Sequence, residues 1–204
     1  LSSVPVRDQT DRFNILMAVL NERLGRNAAA QTYWTRDGEA SASYFIDLAR
    51  FFFERADLKN AEVSLQRALE NADSPSSLYN ANYEMALLEM YGLNHPEASL
   101  EYFRNAESQL ALVSQASVDV QGLHLGYAHA LVNSHHSWEA IPEAQLAIES
   151  DPRSPVAYDL LGRAYLDTGN LPQARDAYAR SIELYTQANM PVSGYTYWGL
   201  GQTY

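Results

Sequence analysis

The sequence predicts an all-α fold, an α-solenoid of stacked antiparallel helical hairpins. Three observations predict it. Apolar residues recur at intervals of three and four along most of the chain. Small residues alternate with large ones on those stripes. The pattern of a whole hairpin then returns with a period in the high thirties. A unit of that size cannot cover its own apolar face, so neighbours must stack to complete the core.

The clearest unit is "YDLLGRAYLDTGNLPQARDAYARSIEL", from Tyr158 to Leu184. Tyr158, Leu161, Gly162 and Tyr165 form a helical stripe. A turn at Thr168-Gly169-Asn170 leads into a second stripe of Ala174, Tyr178 and Ser181. The tyrosines supply knobs, while Gly162 and Ala174 leave room for two helix backbones to approach. Asn170 is placed to cap the second helix, and Pro172 is tolerated in its first turn, where its missing N–H is not needed.

Read from the start, "DRFNILMAVLNERLGRNAAAQTYW" sets Phe13, Leu16, Met17, Leu20 and Leu24 on one face, followed by a short helix over Ala28–Trp34. Residues 1–40 are expected to form a degenerate N-terminal hairpin or cap, the alternative being an unrelated helix folded back on the first repeat. Residues 41–204 are expected to form an array of about four hairpins plus a final unpaired helix. In "YFIDLARFFFERADLKNAEVSLQRAL" the stripes are Phe45, Leu48, Ala49 and Phe52, then Ala61, Leu65 and Ala68. "NYEMALLEMYGLNHPEASLEYFRNAE" is looser, with Met85, Ala86, Ala98 and Tyr102. "VQGLHLGYAHALVNSHHSWEAIPEAQLAIESDP" carries Leu125, Gly126 and His129, then Ala140, Ala144 and Ala147. In the Ser137–Ser150 stretch, Pro142 predicts a start later than Ser137. The last stretch, "YTYWGLGQTY", restarts the stripe with Tyr197, Leu200, Gly201 and Tyr204. The small residues Ala49, Ala86, Gly126, Gly162 and Gly201 are thus spaced by 37, 40, 36 and 39.

This pattern resembles the tetratricopeptide repeat (TPR). An aromatic, a leucine, a small residue and an aromatic mark the first helix; alanine, an aromatic and alanine mark the second, often closing with proline, as in "DP" here. The match is best over Pro155–Leu184 and nearly as good over Ala42–Asp73, and it extends over roughly Ser41 to Tyr204. The resemblance implies a right-handed superhelix whose first helices line a concave surface. Departures are Ser181 in place of alanine, Gly122 in place of an aromatic and Glu89 in place of tyrosine. The longer spacings are similar to the extended repeats of sensor and signalling proteins.

Composition narrows the function. The 204 residues carry a net charge of -11, with Lys59 as the single lysine, and such a surface repels phosphate backbones. No run of eighteen apolar residues is present, so no membrane span is expected. The first residues lack the charged start and apolar stretch of a signal peptide, and there is no initial methionine, as expected of a fragment or a processed form. Without cysteine there is neither disulfide nor thiolate metal site. No phosphate loop, nucleophile elbow or H-E-x-x-H is present. His124 and His129 are five apart and poorly placed to share a metal. The expectation is no enzyme, no cofactor and no metal.

What remains is the groove implied by the resemblance. Its expected wall is Asp47, Arg50, Phe53 and Glu54, then Tyr83 and Leu87, then His124 and Tyr127, then Asp159, Arg163 and Asp167, and last Trp198 and Gln202. Aromatics for anchoring and charges for hydrogen bonding suit an extended peptide or a helix of a partner protein. The carboxylate clamp of chaperone-binding relatives is not expected, because Ile46 and Arg50, or Asp159 and Arg163, stand at the corresponding places. The leading expectation is a protein-interaction scaffold of bacterial style, binding no nucleic acid. The alternative is a ligand- or peptide-sensing domain of a transcriptional or signalling regulator. Pairing of two copies through the C-terminal helix is a further expectation, the other explanation of an uncovered last helix being a longer array.

Overall fold

The computed structural model describes residues 13–14, 16–18, 20–21, 24–34, 41–114 and 118–204. Ten α-helices are present among them, and no strand. After a helical stretch within 13–21 come α1 (Asn27–Trp34), α2 (Ala42–Phe53), α3 (Leu58–Glu70), α4 (Pro75–Leu87), α5 (Pro96–Gln109), α6 (Val120–Asn133), α7 (Ser137–Ser150), α8 (Pro155–Asp167), α9 (Leu171–Gln187) and α10 (Gly194–Gly201). Helices α2/α3, α4/α5, α6/α7 and α8/α9 pair as hairpins, and each second helix packs on the first helix of the next pair.

Local chemistry sets the boundaries. Ser41, Asp57, Ser74, Asp119, Ser154 and Ser193 each accept a backbone N–H at a helix start, and Ser74 forms a reciprocal capping box with Ser77. Pro75 and Pro155 follow two of these caps, where no N–H is required. Every hairpin then turns on one residue of left-handed backbone: Ala56, Asn94, His135 and Gly169. Asn170 stands at the start of α9 without capping it through its side chain; its amide donates to Thr168 Oγ1 instead, at 2.9 Å. Helix α7 begins at Ser137 with Pro142 inside it, not later as the proline suggested. A proline in the second turn removes one backbone bond, and the flanking Ala140 and Ala144 are still fully buried.

The second helices bury one regular triad each: Ala61-Leu65-Ala68, Ser99-Phe103-Ala106, Ala140-Ala144-Ala147 and Ala174-Tyr178-Ser181. Ala98, expected inside, is exposed; Ser99 takes that place, and its hydroxyl donates to Pro96 O at 2.6 Å. The same kind of internal bond explains Ser181, whose hydroxyl donates to Pro155 O at 2.8 Å across the hairpin. Gly122 is small because Asp119, which caps the helix, and Tyr83 Oη occupy the place of its side chain.

Helix α4 runs on into a π turn over Leu88–Gly92. The added residue brings Met90 into the apolar core beside Phe103 and Leu131. Glu89, where the repeat pattern wants tyrosine, is left to pair with His95 Nδ1 at 3.1 Å.

Two expected faces are corrected. In α10 the buried residues are Thr196 and Gly199, with Thr203 just beyond, so Tyr197, Gly201 and Tyr204 point outward. The ring of Tyr178 lies where a Gly199 side chain would be, whereas nothing approaches Gly201. The repeat is therefore Gly126, Gly162, Gly199. Near the N-terminus, Phe13, Leu16, Leu20 and Leu24 are exposed, while Asn14, Ala18 and Asn21 are buried. The buried set has the 4-then-3 spacing of the triads above: close approach of backbones selects small residues, and Asn21 satisfies its amide on Met17 O at 2.7 Å. Much of the expected 1–40 unit, including residues 1–12 and 35–40, lies outside the described residues.

Candidate partner-binding groove

Helix α2 presents Arg50, Phe53 and Glu54 on one side of a cleft, and α4 with its π turn presents Glu84, Leu87 and Tyr91 on the other. The cavity between them holds about 310 Å³, and Ala49, Ala61, Leu65 and Leu88 form its apolar floor. These floor residues are buried, so their positions are fixed by the core beneath. Phe53 and Tyr91 stand at the mouth, both substantially exposed. The π turn adds the residue that carries Tyr91 around to this side, where its hydroxyl lies 3.1 Å from His129 Nδ1 on α6.

Charge is arranged at the rim. Arg50 bonds to Glu84 through Nε, at 2.9 Å, and through a second guanidinium nitrogen, and it lies 3.5 Å from Asp47. Glu54 has no ion-pair partner among the described residues and is exposed. A cavity with an apolar floor and an open carboxylate at its lip can take an apolar side chain next to a cationic one.

A second depression, about 340 Å³, lies at the other end of the array, between Arg163, Asp167 and Trp198, with Asn133, His135 and Tyr195 around it. Arg163 donates to Asn133 Oδ1 at 3.1 Å, and Ser137 donates to Asp167 Oδ2 at 2.7 Å. Burial lowers the His129 pKa, with help from Arg163.

The expected wall thus divides. Arg50, Phe53, Glu54 and Leu87 line the first cavity with Asp47 beside them, and Arg163, Asp167 and Trp198 line the second. Tyr83 donates to Asp119 Oδ2 at 3.4 Å, and burial followed by the Asp119 charge raises its pKa. Asp159 is half-buried; its Oδ1 and the hydroxyl of Thr196 are enclosed without a well-formed hydrogen bond. Burial raises the Asp159 pKa, and Thr196 and Arg163 offset part of that rise. Gln202 is exposed at the end of α10.

His124 and Tyr127 are corrections. Both are 5% exposed and lie inside the array: Tyr127 stacks on Phe103 at 5.7 Å, and His124 Nδ1 is 2.8 Å from Glu143 Oε2. Helix α6 is buried around much of its circumference, with residues 123, 124, 126–128 and 130–132 all inside. Neither wall nor solvent is left for these two side chains. Leu65, Leu88, Glu84 and Tyr91 also line this cavity but were not placed on the wall from the sequence; Leu65 read only as core, and Tyr91 depends on the π turn.

The fold is that of the tetratricopeptide-repeat proteins, and no helix among the described residues is long and apolar enough to cross a membrane. MamA of Desulfovibrio magneticus RS-1, residues 41 to its end, is similar at a TM-score of 0.66 and 15% identity, over 82% of this chain and 84% of that one. YrrB, a TPR protein with an unusual peptide-binding site, is similar at 0.66 and 18% identity, over 86% and 84% of the two chains. A tetratricopeptide repeat protein from Parabacteroides merdae ATCC 43184 is similar at 0.67 and 13% identity, over 96% and 73%. No protein-family profile and no curated protein sequence matches the chain.

Proposed function

We propose that the chain is a non-catalytic protein-interaction scaffold that holds a peptide or helix of a partner protein in the groove between its first two hairpins. The observation that carries this reading is the cavity of about 310 Å³ with a fixed apolar floor and a charged lip. A large apolar side chain of the partner fills the cavity, and an adjacent lysine or arginine meets Glu54. Burying such an anchor contributes roughly 1.5–3 kcal/mol, and the net charge of -11 favours a cationic segment. The peptide-binding site named for YrrB, which shares the fold, supports the same use here. In this reading the region before residue 41 caps the array.

Selection of peptides from a random displayed library on the whole chain tests the proposal. The expected result is enrichment of segments pairing a large apolar residue with a basic one. Leu87→Glu should abolish their binding, and Glu54→Gln should weaken it while leaving helicity intact. Failure to enrich any such segment, or equal binding by Leu87→Glu, refutes it.

A further inference from the structure

Away from the groove, three ionisable side chains from three successive helices converge: Glu107 of α5, His124 of α6 and Glu143 of α7. Their ligand-type atoms all lie within 4.8 Å of one another. We propose that this cluster is a binding site for one divalent transition ion of the zinc type.

The spacing suits such an ion. Zinc–nitrogen and zinc–oxygen bonds are about 2.0–2.2 Å, so tetrahedral ligand atoms sit roughly 3.3 Å apart. The separations here bracket that value, from 2.8 Å for His124 Nδ1 to Glu143 Oε2 up to the 4.8 Å limit. Binding would require the three side chains to rotate inward onto one centre from these separations. Imidazole with carboxylates is a donor set for zinc, whereas magnesium and calcium favour oxygen alone.

Charge gives a second reason. A hydrogen bond between His124 and Glu143 would by itself be an ordinary core pair, but it leaves Glu107 unexplained. That second carboxylate lies in the same cluster, against both Glu143 and His124. A neutral imidazole, two carboxylates and a divalent ion sum to zero. Access is also provided: His124 and Glu143 are buried, while Glu107 is only partly so and opens the cluster to solvent. Three protein ligands leave a fourth position there for water. Since α5 belongs to the second hairpin and α6 and α7 to the third, the ion would tie these two repeats together.

The test is calorimetric titration of the chelator-stripped chain with Zn²⁺ alone, paired with thermal melts. One ion per chain and a raised melting temperature are expected. Glu107→Gln and Glu143→Gln, which keep side-chain shape, should each weaken binding at least by the roughly 10–100-fold that loss of an outer partner costs. The exposed pair must not account for the signal, since His136 lies 3.0 Å from Glu139 and 3.7 Å from Glu97; a His135→Ala/His136→Ala variant should bind as the parent does. No uptake, uptake unchanged in both glutamine variants, or uptake abolished by the surface histidine variant overturns the proposal. Should the glutamine variants fail to fold, Co²⁺ decides on the parent chain: tetrahedral visible bands support the site, and a spectrum of hydrated Co²⁺ overturns it.

Discussion

Gly162 lies so close to the ring of Tyr178 that a Cβ there would stand 2.9 Å from Cδ1. The hairpin α8/α9 closes on this contact. Gly162→Leu is therefore expected to destabilise the chain by about 1–3 kcal/mol, the usual cost of overpacking. Gly201 meets nothing within 4 Å, so Gly201→Ala should be neutral or stabilising by up to about 1 kcal/mol through helix propensity. Thermal unfolding of both variants checks the pair, and an equal response at the two positions would contradict the register of α10.

Ser181 gives the opposite lesson about conformity to a repeat pattern. Alanine is usual there, yet Ser181→Ala would leave Pro155 O without its 2.8 Å donor in a buried setting. The expected loss is about 1 kcal/mol, read as a lower denaturant midpoint with an unchanged slope. A gain in stability would show that packing outweighs the bond.

Asp159 predicts a pH dependence. Burial, the largest influence, raises its pKa in the folded chain above the unfolded value of about 3.9. A raised carboxyl contributes stability that is fully present below the unfolded pKa and lost as pH rises through the folded one. Asp159→Asn should therefore be more stable than the parent at neutral pH, with the difference closing as pH falls toward about 3.9. Urea midpoints across that window measure it, and a difference independent of pH would remove Asp159 as the cause.

The outward register of α10 leaves Tyr195 80% and Tyr204 89% exposed, with Tyr197 and Trp198 also largely uncovered. Exposed aromatic surface of this kind favours association. Sedimentation over a concentration series is expected to show pairing, reduced by Trp198→Ser and by Tyr197→Ser. A monomer throughout, unaffected by either substitution, would rule out this face as a contact between copies.

Much of the architecture was legible because the triads repeat. Ala61-Leu65-Ala68 and Ala174-Tyr178-Ser181 could be read directly, since their small–large–small rhythm has little competition nearby. The second hairpin was harder. "EASLEYF" offers Ala98-Tyr102 and Ser99-Phe103 one residue apart, and hydropathy favours alanine over a serine that in fact bonds its own helix. The final helix misled for a related reason: its large aromatics suggested a core stripe, but close packing on Tyr178 admits only Gly199. Arg50, Phe53, Glu54 and Leu87, which line the first cavity, were expected on the wall from their first-helix positions. Tyr91 was not, because a π turn has no local signature in "LLEMYG". Glu107, His124 and Glu143 are separated by 17 and 19 residues on three helices, a spacing that only the folded array brings together.

Each hairpin touches chiefly the one before and the one after it. Among the described residues, a load applied to the two ends would consequently meet chiefly these neighbour contacts. Such a chain stretches as a soft spring and yields link by link, and the weakest junction sets the first rupture force. A ligand bridging α2 and α4, or an ion joining α5 to α6 and α7, would stiffen one link alone, so force spectroscopy could report which junction is occupied.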